Sequence, residues 1–572
     1  MKILKAGPVT AGYENGFLRR IAYGQTEILR MVYFALRDHN WNTIASRIEN
    51  ERFASNDAGF EITYDCLNLD KGIIILAWKG KIRGDSDGAI TFEIHGEVKQ
   101  DFRKNRAGFC ILHPLSIAGK DCTIIHPDNA RTTLKFPVDV APDDPFKNIQ
   151  AMEWIASDVP YTLVFEGDIF ETEDQRNWCD ASYKTFCTPL DRPFPAQLKR
   201  GEEIFQRVTF KPQNGLVPAA GAPEHITLRD TGMNSLLPML GVGASTETSE
   251  MPAEAILLIK ALNLKHYRVD VHPGEDHWVT DFSHACERAF ELGLSLEVAL
   301  HLPQEPEEAL EAFTVVCLQN RLRLRKILLL RNNGLVTGQQ LIDHTSWLKE
   351  RFPRVLVGAG TNYNFNEINK NRFSPLNLDY IGFSMDPQEH AVDDLTILEN
   401  IEAQGHLVRS AKSIYGASMP VHISPVTLKK RYNPYATNPA DLYIAEDLKA
   451  DPRQQEIFAA VWTFGSLCSL AQGGAAAVTY YQTIGNQGLI SAEGTPFPVY
   501  DTLKSFAPYQ GKPVTILESS DALAVQGIVL DKKVLGIVNL SREKKTIRFQ
   551  DSAYELPSFQ MKFIPLHSTQ EL

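Results

Sequence analysis

Side chains able to do polar chemistry gather at a few places along this chain. The densest is Glu171-Thr-Glu-Asp-Gln-Arg-Asn-Trp-Cys-Asp-Ala-Ser-Tyr-Lys-Thr-Phe-Cys-Thr-Pro189, which follows the alternating apolar run Tyr161–Phe170. It mixes the carboxylates Glu171, Glu173, Asp174 and Asp180 with Arg176, Lys184, Trp178 and Tyr183. A connection that only closes a sheet is short and rich in Gly, Asn or Pro. This one has the composition of a polar ligand site, and the plain alternative is a salt-bridged loop edge.

Other candidates lie at the ends of short apolar runs, where successive residues of a strand face opposite sides. Arg268, Asp270 and His272 share one face, opposite Val269 and Val271. Glu297, Ala299 and His301 oppose Leu296, Val298 and Leu300, and His422 and Ser424 oppose Val421 and Ile423. Ser384 and Asp386 end a further run, and Tyr481 ends the last. Glu367 sits in the polar, aromatic stretch Asn362–Arg372, and His390 lies three residues before Asp393. A carboxylate bonded to an imidazole sets its tautomer and raises its basicity, so acid–base catalysis is the chemistry these types suit. Each also has a structural reading: Arg268 and Asp270 as a buried ion pair, a strand-end histidine as a satisfied polar group.

The elements that would position these residues change character along the chain. Residues 1–225 read as all-β, with runs such as Gly72–Gly80 and Ala89–Gly96 around the turn Arg83–Gly88, and a β-sandwich is the economical architecture. Over 226–510, strands alternate with helical intervals (Ala253–Leu262, Ser283–Leu292, Pro306–Cys317). Eight strands are expected: Leu237–Gly241, His266–Val271, Leu294–Leu300, Lys326–Leu330, Arg354–Gly358, Tyr380–Ser384, Pro420–Ser424 and Ala476–Tyr481. That count and span match a closed (β/α)8 barrel, whose working residues sit at the C-terminal strand ends. A doubly wound open sheet is the runner-up, but no Gly-x-Gly-x-x-Gly follows a strand. Residues 511–572 return to β and read as a small C-terminal domain.

Composition narrows the class. The 572 residues are 44% hydrophobic and 22% charged, as in ordinary globular proteins. The 58 Lys and Arg against 70 Asp and Glu give a formal charge of −12, which argues against nucleic-acid or anionic-membrane partners. No run has the length of a membrane span, and the first residues lack a signal-peptide pattern. Eight scattered cysteines without a C-x-x-C pair read as reduced thiols of a cytoplasmic protein, with a Cys179–Cys187 disulfide as the alternative. Oligomeric state is not legible. No cofactor is expected. His272, His301, His390 and His422 leave a catalytic metal open, although no H-x-H or H-E-x-x-H occurs.

The block Glu173–Thr185 resembles the signature of the D-apionate lactonase family. So do Leu36-Arg-Asp-His-Asn-Trp-Asn-Thr43, Asn105-Arg-Ala-Gly-Phe-Cys-Ile-Leu-His-Pro114, Asn366-Glu-Ile-Asn-Lys-Asn-Arg372 and Asp386-Pro-Gln-Glu-His-Ala-Val-Asp-Asp394, in the family's order. The resemblance implies a hydrolase of the sugar lactone D-apionolactone, built like a glycosidase on a β/α barrel. Ring opening needs a base for water, a donor for the carbonyl oxygen and a proton for the leaving hydroxyl. The expected assignment has Glu367 or His390 as base and His422 as acid or carbonyl polariser. Arg176, Asp180 and Lys184 would bind sugar hydroxyls or the new carboxylate as surface groups, beside Arg268, Asp270, His301 and Tyr481. Two rivals stand beside it: a glycoside hydrolase with relocated carboxylates, such as Glu367 with Glu297 or Asp270, and a sugar-binding protein without chemistry. Against the first, the fourth strand ends in Arg331-Asn-Asn333 and the seventh in His422-Ile-Ser-Pro425, where barrel glycosidases commonly carry their acids. A serine esterase is a weak reading without Gly-x-Ser-x-Gly.

Overall fold

The structure, a computed structural model, describes residues 1–566 apart from 57, 157, 214–224, 321–322 and 437–441. Its contacts divide into two units: Met1–Gln175 with Ala181–Pro223, and Arg176–Asp180 with Glu224–Leu572.

The first unit is the expected β-sandwich, two antiparallel nine-stranded sheets. Strict alternation writes it. Phe60–Asp70 and Ile90–Val98 bury every second residue, the mark of strands with one face on a core. Aromatic rings meet between the sheets, Phe34 on Trp78 at 5.2 Å and Phe92 on Phe109 at 4.8 Å. The chemistry-rich block supplies a hairpin, Phe170–Asp174 with Tyr183–Phe186, in which Glu173 pairs with Lys184. Tyr183 belongs to the core, its ring 5.1 Å from Phe136.

The second unit carries the barrel. Its strands are β1 (Met239–Gly243), β2 (His266–Val271), β3 (Ser295–Leu302), β4 (Leu324–Arg331), β5 (Leu356–Gly360), β6 (Tyr380–Met385), β7 (Val421–Val426) and β8 (Ala477–Ile484). Each lies parallel to the next, and β8 pairs with β1 to close the ring. The open-sheet alternative is thereby excluded. Glycines make room for large interior rings. A Cβ on Gly241 would stand 2.2 Å from the His266 ring, and one on Gly358 2.5 Å from Tyr380. The helix Ile457–Gly473 is buried on nearly every side, as an apolar helix must be. It packs on the helix Ile401–Tyr415 and against the C-terminal sheet. Among the described residues no helix is long and apolar enough to cross a membrane.

The C-terminal sheet has seven strands in the order Ser552–Leu556, Lys545–Phe549, Ile226–Leu236, Pro513–Ser519, Val525–Leu530, Val534–Asn539, Gln560–Pro565. A sequence boundary at 225/226 gives Ile226–Leu236 to the barrel. Here that strand instead runs antiparallel to Pro513–Ser519 and parallel to Lys545–Phe549. The pair Lys545–Phe549 and Ser552–Leu556 escaped the sequence reading because lysines and acids interrupt its apolar pattern.

Candidate active site

The C-terminal ends of β2, β3, β5 and β7 converge on one polar cluster. Arg268 is buried. Its guanidinium donates to Asp270 Oδ1 (3.0 Å), Asn362 Oδ1 (2.8 Å), and the hydroxyl (3.1 Å) and carbonyl of Ser424. Asp270 also accepts from His301 Nε2 (3.0 Å) and Asn362 Nδ2 (3.1 Å). Arg431, in the loop after β7, brings its Nη1 to 3.7 Å from Asp270 Oδ2 and donates to Asn362 Oδ1.

This arrangement fixes charge states. Burial alone would raise the Asp270 carboxyl, but Arg268, the His301 bond and Arg431 outweigh it and hold it well below the usual carboxylate range. His301 moves down from its ordinary value: burial is the main cause, His272 and Arg268 add to it, and the Asp270 bond opposes without prevailing. The result is a neutral imidazole beside a carboxylate. With Nε2–H directed at Asp270, the lone pair lies on Nδ1. Two guanidinium groups against one carboxylate leave the cluster net positive, as an anion or developing oxyanion requires. Asp270 keeps its open side toward a cavity of about 850 Å³, whose walls include His272, Arg431, Tyr432, Tyr481 and Gln482.

Further down the barrel lies a second polar layer. Burial would raise Glu297, yet Lys326 at 3.0 Å and the Ser424 hydroxyl at 2.5 Å keep it ionised. His266 bonds Thr479 Oγ1 at 2.8 Å and is pushed down to about 3 by burial and then Lys326. His422 sits in this layer, two residues before Ser424 on the same face. Its ring stacks on Tyr380 at 4.0 Å, and burial, then Lys326, hold it neutral. Tyr481 lines the cavity, but its hydroxyl turns to Thr463 Oγ1 at 2.8 Å.

A third group forms around the loops after β5 and β6. Glu367 is buried and accepts from Asn366 Nδ2 (3.0 Å) and the Tyr435 hydroxyl. His390 Nδ1 meets Asp180 Oδ2 at 2.5 Å, and Asn400 Nδ2 donates to the other Asp180 oxygen at 3.0 Å. The partner foreseen for His390, Asp393, instead caps the helix Asp394–Glu399 through Thr396. Asp386, at the end of β6, has its carboxyl pushed up to about 8, first by burial and next by Glu389; the Gln388 backbone N–H at 3.1 Å opposes this without prevailing.

The sequence candidates thus separate. Arg268, Asp270 and His301 come together at the mouth with Tyr481 in the cavity wall, and His422 lies beneath. Glu367, His390 and Asp180 form the third group. Arg176 is fully buried with its Nη1 3.1 Å from His406 Nδ1, on the helix Ile401–Tyr415, so it is not the surface group expected. Lys184 is in the first unit, 2.6 Å from Glu173. The four histidines do not converge: His272 and His301 stack, while His390 and His422 stand with Asp180 and Tyr380. Among the described residues no group of three or more His, Cys, Asp or Glu is arranged to hold a metal ion. Sequence reasoning gave no role to Asp386 and passed over Arg431. Arg431 hides in Leu428-Lys-Lys-Arg431, which reads as a solvated basic run; the adjacent Tyr432-Asn-Pro-Tyr435 was the available signal.

Two family descriptions match the chain: the N-terminal domain of D-apionate lactonase over residues 1–215 and its TIM barrel domain over 240–511. A D-apionate lactonase of Brucella anthropi is 28% identical over 573 residues, covering 95% of this chain and 93% of that protein. Among solved structures, a family 51 α-L-arabinofuranosidase from Bifidobacterium longum is 11% identical, covers 57% of this chain and 88% of its own, and has a TM-score of 0.41. A GH30 endoxylanase from Clostridium papyrosolvens is 14% identical over 59% of this chain and 98% of its own, with a TM-score of 0.40. Through both matched domains, in order and over nearly its whole length, the chain belongs to the D-apionate lactonase family.

Proposed function

We propose that this chain hydrolyses a sugar lactone, D-apionolactone, to the open hydroxy acid D-apionate at the mouth of its barrel. One observation carries the mechanism: the Asp270–His301 hydrogen bond, framed by Arg268 and Arg431, with Asp270 on the large cavity and His301 on the narrow recess that His272 joins to it. His301 Nδ1 takes a proton from water as the oxygen attacks the lactone carbonyl. Asp270 orients the ring and stabilises the imidazolium. The carbonyl oxygen gains negative charge, and Arg431 meets it with fixed positive charge. The ring C–O bond then breaks, and Asp386, protonated at neutral pH, gives its proton to the leaving oxygen. Arg431 lies in the field of both Asp270 and Asp386, which suits a group standing between base and acid.

His390 with Asp180 is the rival imidazole–carboxylate pair, and Glu367 the rival carboxylate base. What favours the mouth cluster is that Asp270, which orients His301, lines the large cavity together with both guanidinium groups. The glycosidase alternative lacks carboxylates where β4 and β7 end, and the mouth acid Asp270 is committed to Arg268. The reading takes a small-molecule sugar lactone as the only partner, no cofactor, and action in the cytoplasm. The acidic net charge supports the absence of a nucleic-acid or anionic-membrane partner, and eight free cysteines suit the cytoplasm.

Proton release from a panel of aldonolactones, with and without a chelator, tests the proposal. Acid production above the spontaneous rate from a branched or short-chain lactone is expected. Cleavage of an aryl glycoside with every lactone left intact would transfer the assignment to the glycosidase reading, and binding without turnover of either would transfer it to the sugar-binding one.

A further inference from the structure

His272 has no part in the steps above, yet it follows β2 directly and its ring lies flat on His301, with centroids 4.0 Å apart and planes 14° from parallel. Its Nδ1 stands 3.5 Å from Oε1 of Glu275, an exposed acid on the following turn. The His272 ring borders both the large cavity and the narrower recess that contains His301 and Asn333. It therefore touches the proposed base on its face and solvent on its edge.

We propose that His272 is a positioning residue that holds the His301 ring in the plane of the Asp270 bond. The inference rests on the reading of His301 as the base. An imidazole on Asp270 through one nitrogen can still swing about that bond, and a flat ring at van der Waals distance removes this freedom.

The test is kcat and KM, measured separately, for lactone hydrolysis by the full chain and by His272→Phe, His272→Ala and His301→Ala. In His272→Phe the flat ring on His301 remains, so kcat stays close to the parent's. His272→Ala frees the ring: kcat falls about tenfold with KM little changed, and Phe at this position recovers most of that loss. A His272→Phe enzyme as impaired in kcat as His272→Ala overturns the inference. So does a His272→Ala enzyme altered only in thermal stability. If His301→Ala keeps parental activity, the assignment of the base has failed instead. An inactive His301→Ala beside unaltered His272 variants leaves that assignment standing and removes this one.

Discussion

At the scale of single residues, two groups of the barrel have environments that drive them in opposite directions, His301 in the cluster of β2, β3, β5 and β7 and Asp386 at the end of β6. His301 is kept neutral and able to accept a proton, and Asp386 is kept protonated and able to give one. His301→Ala and Asp270→Asn should each lower kcat by ~10²–10⁴-fold, the usual worth of a general base and its orienting group. Steady-state kinetics beside His390→Ala and Glu367→Ala decides which carboxylate–imidazole pair works: parental kcat in His301→Ala with loss in His390→Ala would reverse the assignment. Asp386 gives the opposite limb. With its carboxyl at about 8, the proton donor is present below that pH and lost above it, so kcat should decline through pH 8 and Asp386→Asn should abolish that limb with most of the activity.

The same carboxyl carries a sign for stability. Its folded value is raised above the unfolded one, so between about 4 and about 8 the folded chain binds more protons than the unfolded chain, and stability falls as pH rises through that window. The isosteric amide has no proton to lose. Denaturant melts of Asp386→Asn between pH 5 and 8 should show a flatter dependence and no loss of stability at pH 8. A variant that is less stable than the parent at every pH would show that the acid serves packing.

At the scale of elements, the block Glu171–Pro189 divides its residues. Its strands build a hairpin of the first unit, while Arg176–Asp180 counts with the second. Arg176 with no exposed surface against His406, and Lys184 against Glu173, have the surroundings of braces. Arg176→Ala should cost about 2–3 kcal/mol of folding stability through lost charged hydrogen bonds and lost packing of the aliphatic stem, with KM nearly unchanged. A raised KM at parental melting temperature would restore Arg176 as a substrate ligand. Asp180 differs, because it holds His390 and Asn400 at once; its replacement should disturb the loop after β6 as well as stability.

At the scale of the whole molecule, the barrel and the C-terminal sheet belong to one compact unit. Ile226–Leu236 precedes β1 in the chain yet takes its partners from Pro513–Ser519 and Lys545–Phe549. A chain cut after residue 510 leaves that strand with two open edges and uncovers the apolar helix Ile457–Gly473. Such a truncation should be insoluble or aggregate on expression, whereas the full chain unfolds with barrel and sheet together. A soluble, cooperatively melting 1–510 fragment would show the sheet to be an appendage.

Much of this was legible in the residues themselves. Period-two alternation marked the sandwich strands, the rhythm of apolar strand and helix marked eight barrel units, and alternation placed Arg268, Asp270, Glu297, His301 and Ser424 on interior faces, where they are found. Those signals are local, set by which side of a strand must be dry. The block Glu171–Pro189 and its companions also carried the family resemblance. What lay beyond sequence was every relation between distant segments. Composition could mark Arg176, Asp180 and Lys184 as polar but could not say that Arg176 is sealed from solvent or that Lys184 answers Glu173 across a hairpin. Asp393 was near His390 in the chain, and Asp180, 210 positions away, took the imidazole. The raised Asp386 and the neutral His422 depend on burial and on the charges folded around them. Such quantities arise only when closure of the barrel brings β2, β3, β5, β6 and β7 to one mouth and removes the water between them.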